Sequence, residues 1–374
     1  MKMIIVAGAR PNFMKIAPLV HQLRKCGADI TWKLVHTGQH YDYEMSRVFF
    51  DDLELPEPDF FLDAGSGTHA EQTARVILEF EKVCIQEKPD WVVVVGDVNS
   101  TMACSITAKK MNIQVAHVEA GLRSRDMSMP EEINRMLTDA IADYLFVTEK
   151  SGVDNLKREG RKDGDIFFVG NVMIDTLLYH LDQIKKNPEP EENPAAGKIK
   201  APSFAVVTLH RPSNVDDRNT LAGILKALVR ISADMPVIFP VHPRTKKNIE
   251  VFNLEKIVND SNVQLLPPMP YIEFLSLWKD ACLVLTDSGG LQEETTALGI
   301  PCFTIRENTE RPVTIEEGTN RLVGTTGEGI LSAYEQLKTR GPQKGKVPKH
   351  WDGKAAGRIL NVLITKKSTA DLGI

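Results

Sequence analysis

The 374-residue sequence predicts an α/β protein built from two doubly wound, Rossmann-like parallel sheets. Three observations predict it. Short apolar runs alternate with helix-period segments along nearly the whole chain. The apolar runs are rich in β-branched residues and do not alternate with polar ones, the pattern of strands buried on both faces. The alternation breaks once, at 185–200 (KKNPEPEENPAAGKIK), a Pro-, Glu- and Lys-rich stretch that reads as an exposed connector, and then restarts. The length agrees, because beyond about 250–300 residues a single core usually splits.

The elements follow in order. Residues 3–7 form the first strand and Gly8 to Asn12 a turn. From Phe13, apolar residues recur at Ile16, Leu19, Val20 and Leu23, a helix stopped by Gly27. A strand is expected over 30–36 and a long amphipathic helix over 70–86. Trp91–Val95 is an almost pure β-branched run and reads as a central strand. Helix 100–111, strand 115–118, helix 130–142 and strands 144–147 and 166–169 complete the first half. After the connector come strand 204–208, helix 218–232, strand 237–241, helix 245–258, strand 263–266, helix 271–279, strand 282–286 and helix 290–298. Because 172–184 reads as a helix entering the second domain, the break is expected near Gly170, giving domains 1–170 and 171–352. A last helix, about 352–365, has no strand after it.

Composition removes several function classes. Lys and Arg number 45 against 50 Asp and Glu, a net charge of −5 and no footprint for bulk nucleic-acid binding. No run approaches the ~18–20 apolar residues of a membrane span, and the run Met1 to Val6 is too short for a signal peptide. The five cysteines (26, 84, 104, 282, 302) are scattered without a CxxC pair, so neither a disulfide framework nor a structural zinc site is suggested. Four of them sit in apolar runs and are expected to be buried. A cytoplasmic, reducing-compartment protein is the remaining class.

In open α/β sheets, ligands bind beyond the carboxyl ends of the strands, so the chemistry is sought there. After the first strand come Gly8, Ala9, Arg10 and Pro11, with Lys15 one turn into the helix: a close backbone approach, a helix N-terminus and two cations, all suited to an anion. A capped βα turn with solvated cations is the plain alternative. The segment is not GxGxxG, so no dinucleotide fingerprint is present. Asp97, Glu119 and Glu131 lie at strand ends or a helix start on one sheet edge. Clustered carboxylates can share protons, as general acid/base work requires; an acid in a first helical turn is also common for dipole reasons alone. In the second half, His210-Arg211 and His242-Pro243-Arg244 follow strands and suit a phosphate or a developing anion. Ser288, Gly289 and Gly290 open a helix, where backbone N–H groups suit a diphosphate. Glu294 stands one turn further in, placed for ribose hydroxyls, and Arg311 lies in RENTERP. Neither HExxH nor a DxD-like pair occurs at a strand end, so neither a metal nor a cofactor is expected.

The ordered set GARPNFMKIAPL, TGQH, GDVNST, HVEAGLRS, PEEINR, TLHRP, PVHPR, TDSGGLQEE and ENTERP spans almost the whole chain and resembles the non-hydrolysing UDP-N-acetylglucosamine 2-epimerases. The resemblance implies a GT-B-like fold of two domains facing a cleft, with the last helix, about 353–366, packed back on the first domain, and a homodimer. It implies interconversion of UDP-GlcNAc and UDP-ManNAc through elimination of UDP to a 2-acetamidoglucal and re-addition. Asp97, Glu119 and Glu131 would be the acid/base carboxylates and His210 would assist the departing UDP. Arg10, Lys15, Ser288, Gly289, Gly290 and Arg311 would hold the diphosphate, Glu294 the ribose, and Phe274 would stack on uracil. Gln39, His40, Arg211 and His242 would belong to an activating second sugar-nucleotide site, although GSGTHAEQTAR (65–75) replaces the stretch that supplies an activator-binding arginine. Two further strings depart from the family's commoner ones: Arg211-Pro212-Ser213-Asn214 after the histidine, and Ala9-Arg10-Pro11-Asn12 at the start. The competing readings are a hydrolysing 2-epimerase, a GT-B UDP-sugar glycosyltransferase and a non-catalytic sugar-nucleotide sensor.

Overall fold

The computed structural model describes residues 1–27, 30–38, 50, 52–186, 203–259 and 261–370, with the side chains of Arg10 and 366–370 left out. The chain forms two compact units: Met1–Tyr179 with Lys349–Ile374, and His180–Pro348.

Among the described residues, the first unit holds seven strands: β1 (Lys2–Ala7), β2 (Thr31–His36), β3 (Phe60–Phe61), β4 (Trp91–Val95), β5 (Gln114–Ala120), β6 (Tyr144–Val147) and β7 (Ile166–Phe168). Their order is β3-β2-β1-β4-β5-β6-β7, and each neighbouring pair runs parallel. Strand order reverses between β1 and β4, the crevice where such sheets bind ligands. The strands are buried on both faces, as their composition requires: Ile4, Val6, Val92, Val94 and Val115 join Phe80 and Cys104 in one core.

The second unit repeats the plan with β8 (Ala205–Thr208), β9 (Val237–Pro240), β10 (Val263–Leu266), β11 (Leu283–Thr286), β12 (Cys302–Thr304) and β13 (Asn320–Leu322). The order is β10-β9-β8-β11-β12-β13, with the reversal between β8 and β11. Val207, Leu225, Leu228, Phe239, Leu285 and Tyr334 lie in its core.

Several expectations change. The first unit runs to Tyr179, not Gly170, because the opening turns of helix Val172–Lys186 pack on it: Thr176 Oγ1 donates to the Met14 carbonyl at 2.6 Å. The strand expected over 115–118 runs on to Ala120 through an irregularity between Val118 and Ala120. The helix expected over 245–258 is two helices, Pro243–Val251 and Glu255–Val258, separated where Asn253 takes φ 55°, a left-handed conformation that asparagine tolerates. Cys282 is exposed rather than buried, standing just outside β11. Helices Lys150–Arg158 and Gly327–Arg340 and the two-residue strand β3 are additional. The last helix, Ala355–Ala370, belongs to the first unit. Among the described residues, no helix is long and apolar enough to cross a membrane.

Candidate active site

In the first unit, the register Val95↔Val118 brings the residues just past β4 alongside the end of β5. Asp97 and Glu119 therefore emerge as neighbours, Asp97 at the strand-order reversal and Glu119 one strand beyond it. Glu119 has φ 73°, a conformation rare for a residue with a Cβ. Such strain persists only where the surroundings over-determine it, and it concentrates at functional sites. Lys15, 7 % exposed, reaches over from the first turns of helix Arg10–Leu23, and its Nζ lies 2.7 Å from Glu119 Oε1. Gly96 lies beneath the lysine, where a Cβ would come within 2.8 Å of Nζ, and its φ of 67° is the conformation that favours glycine. Asn12 closes the turn, its Oδ1 accepting from Gly8 N (3.1 Å) and Ala9 N (2.9 Å) while Nδ2 donates to the Val95 carbonyl. Asn12 thus ties the β1 turn to the end of β4.

Groups not singled out in the sequence hold the carboxylates. Arg135 donates through Nε to Asp97 Oδ2 at 3.0 Å and also pairs with Glu132. Buried Glu132 accepts from the backbone of Ser124 and Arg125. Burial pushes its carboxyl up, but these donors and Arg135 outweigh that and hold it below the usual range. Glu132 is therefore the structural member of the Glu131-Glu132 pair, and Glu131 the half-exposed one. Beneath both strand ends lies His117, fully buried, with Nδ1 2.6 Å from Asp139 Oδ1 and Nε2 2.8 Å from the Gly96 carbonyl. Asp139 also accepts from Gly121 N at 3.0 Å and pairs with Arg123. One ring thus links the backbone beside Asp97 to the carboxylate that holds the backbone beyond Glu119. His117 stood in the HVEAGLRS motif; its partner Asp139 lies 22 residues on, and no local signal joins them.

In the second unit, Ser288 precedes helix Gly289–Leu298 without making a side-chain cap bond, and Ser288, Gly289 and Gly290 are half-exposed. The first N–H groups of this helix are suited to an anion. Gly289 is constrained from below, where a Cβ would lie 3.0 Å from Glu310 Oε1. Arg311 is 6 % exposed and bound to two carboxylates, Glu293 Oε1 at 2.7 Å and Glu310 Oε1 at 2.8 Å, while Arg306 pairs with Glu310 at 2.9 Å. This buried set braces the start of the helix. Glu294, 4 % exposed, accepts from Tyr271 Oη at 2.7 Å. Tyr271 and half-exposed Phe274 share helix Tyr271–Trp278.

His210 lies against Asp287, Nδ1 to Oδ1 at 2.8 Å. Burial raises the Asp287 carboxyl, but the His210 ring and the backbone N–H groups of Arg211 and His210 outweigh it and keep the group below the usual range. Arg211 Nε donates to the Asp287 carbonyl, and His242 caps helix Pro243–Val251 by accepting Arg244 N–H. Arg10 opens its helix in the first unit. Gln39 and His40 lie outside the described residues. Among the described residues, no group of three or more His, Cys, Asp or Glu is arranged to hold a metal ion.

Two parallel-sheet units, each with charged and glycine-bearing turns at its strand-order reversal, define a GT-B-like α/β protein. The family model for UDP-N-acetylglucosamine 2-epimerase matches residues 23–364, and the chain belongs to that family. It is 44 % identical over 369 residues to the UDP-N-acetylglucosamine 2-epimerase of Methanocaldococcus jannaschii, covering 97 % of this chain and 99 % of the relative. A crystal structure of the M. jannaschii UDP-GlcNAc 2-epimerase in complex with UDP-GlcNAc and UDP is similar with a TM-score of 0.86 at 43 % identity, covering 97 % of this chain and 99 % of that one. A Pseudomonas aeruginosa UDP-2,3-diacetamido-2,3-dideoxy-D-glucuronate 2-epimerase is 40 % identical over 367 residues, 97 % of this chain and 99 % of the relative.

Proposed function

We propose that this chain interconverts UDP-GlcNAc and UDP-ManNAc by eliminating and re-adding UDP. The observation that carries the reading is that Asp97 and Glu119 stand at the ends of the adjacent strands β4 and β5 beside the strand-order reversal of the first unit, one on an Arg135 guanidinium and the other strained and bound to Lys15. In the forward step a carboxylate takes the C2 proton, the C2–H pair becomes the C1=C2 bond, and the C1–O pair leaves with UDP. A second carboxyl, in exchange with solvent, then delivers a proton to the opposite face of C2 as UDP re-adds at C1, and the inversion is complete. The C2–H bond is weakly acidic, so the reaction depends on stabilising the departing diphosphate. Arg10, Lys15, Ser288, Gly289, Gly290 and Arg311 would serve it, with Glu294 on the ribose and Phe274 on uracil. Glu131 is the third acid/base candidate. Arg211 and His242, with Gln39 and His40, remain the candidates for a second, activating sugar nucleotide. A homodimer in the cytoplasm completes the reading. The homodimer is supported by the outer face of helix Pro130–Ile141, where Ile133, Met136 and Leu137 are 40–44 % exposed, an apolar stripe of the kind a second copy covers.

The test is incubation with UDP-GlcNAc in D₂O followed by NMR. The expected product is a mixture of two UDP-sugars carrying deuterium at C2, with little free sugar. Stoichiometric free N-acetylmannosamine would favour the hydrolysing reading, and transfer of the sugar without C2 exchange a glycosyltransferase. Asp97→Asn and Glu119→Gln should each stop exchange while UDP still binds; turnover in both variants removes the assignment. The P. aeruginosa relative favours a second substrate, a 2,3-diacetamido sugar nucleotide, and exchange rates on the two substrates side by side decide between them.

A further inference from the structure

His210 and Asp287 are brought together by strand register. Thr208 of β8 pairs with Thr286 of β11, and their hydroxyls lie 2.7 Å apart. The residues just past them therefore emerge side by side at the reversal of the second sheet. Asp287 is fully buried and accepts from His210 N (3.0 Å), Arg211 N (2.9 Å) and Asn214 Nδ2 (3.1 Å), as well as facing His210 Nδ1. A carboxylate accepts only, so the ring nitrogen facing it must carry a proton. The His210 side chain is 43 % exposed, so its remaining nitrogen, Nε2, is the one left to meet a ligand. The neighbouring His242 ring, 5.8 Å away, has its Nδ1 engaged by Arg244 N–H.

We infer that Asp287 is a positioning residue for His210, fixing the ring with Nδ1 protonated and Nε2 presented to the departing diphosphate. The inference rests on the proposed elimination. There, a ring that also carries a proton on Nε2 donates a hydrogen bond to a phosphate oxygen as the C1–O pair leaves with UDP, with the Asp287 carboxylate held against Nδ1. No proton changes owner at His210 in this step, and the same contact serves re-addition. Asp287 also anchors the turn 209–214, and a purely structural role would lie in those backbone bonds.

A double-mutant cycle separates the two roles. C2 exchange in D₂O is followed for wild type, Asp287→Asn, His210→Gln and the double variant, with UDP affinity measured by calorimetry. Asp287→Asn is expected to slow exchange at least about tenfold with UDP affinity nearly unchanged, and to have almost no further effect once His210 is Gln. An equal fractional loss in both backgrounds overturns the inference. A second measurement needs no folded Asp287 variant and no turnover: long-range ¹H–¹⁵N spectra of the histidine-labelled wild type, with His210 assigned by His210→Gln. A proton on Nδ1 is expected; a bare Nδ1 overturns the inference. Absence of C2 exchange in the wild type would instead remove the epimerase reading, leaving the tautomer to decide the pairing.

Discussion

At Glu294 three influences meet. Burial pushes its carboxyl up to about 8, the Tyr271 hydroxyl pulls it down, and neighbouring Glu293 pushes it up again. Ribose hydroxyls donate best to an ionised carboxylate. If Glu294 takes the ribose, UDP affinity must rise as pH climbs through about 8, because ionisation of the free protein then no longer opposes binding. Tyr271→Phe removes the bond that favours the carboxylate. The affinity curve should therefore move to higher pH, with affinity at neutral pH falling several-fold and recovering in alkali. Calorimetric titration of wild type and Tyr271→Phe with UDP from about pH 7 to about pH 9 checks this, and the difference between the two proteins at each pH cancels the ionisation of UDP itself. A flat profile in both proteins would remove Glu294 from the ribose. The Tyr271–Glu294 bond spans 23 residues and two helices, which is why the sequence shows the glutamate but not the partner that tunes it.

Among the elements, helix Ala355–Ala370 depends on a side chain borrowed from elsewhere. Asp175, in helix Val172–Lys186, accepts Ala355 N–H at 3.1 Å and Ala356 N–H at 2.8 Å. Burial pushes its carboxyl up to about 6, against the lowering by those two amides. The folded value lies above the ordinary 3.8. Its contribution to stability is therefore present in full below that value and is lost as pH rises through about 6. A carboxyl raised this far loses about 3 kcal/mol at most. Asparagine carries no charge to desolvate. Asp175→Asn should therefore gain stability relative to wild type as pH goes from about 4 to about 8, whatever the fixed offset from the lost second acceptor. Urea midpoints at the two pH values measure the gap, and a gap that ignores pH would rule out the buried charge. The same elements show what the sequence discloses. Trp91–Val95 is legible because a strand buried on both faces has no polar residue to confuse its period. Helix Lys150–Arg158 is not, because it buries only Gly152 and Leu156 and carries too short an apolar stripe. Strand order is also invisible locally, so Asp97 and Glu119 can be read as strand-end acids, whereas the Asp287–His210 and Asp139–His117 pairings need the folded sheets.

Across the whole molecule, the chain passes between its units twice, after Tyr179 and after Pro348. The C-terminal segment beyond Pro348 completes the first unit's core. Trp351, Ile359, Leu360 and Leu363 are at most 4 % exposed. The Trp351 indole N–H donates to the Thr148 carbonyl at 3.0 Å, and Arg358 Nη1 to the Val169 carbonyl at 3.0 Å. Burying each large apolar side chain is worth roughly 1.5–3 kcal/mol. Losing four approaches the whole margin of a domain, about 5–15 kcal/mol. The second unit, His180–Pro348, keeps its six described strands and its own core without this segment. Truncation after Pro348 should therefore unfold the first unit selectively. In hydrogen exchange, β1, β4 and β5 should lose protection while β8, β9 and β11 retain it. Because the carboxylates proposed as acid and base belong to the first unit, C2 exchange should vanish. UDP should still bind, more weakly, through the Ser288–Gly290 helix start and Glu294. Protection persisting across β1, β4 and β5 would mean that the first unit holds without its last helix. Loss of protection in both units together would mean that their stabilities are not separable.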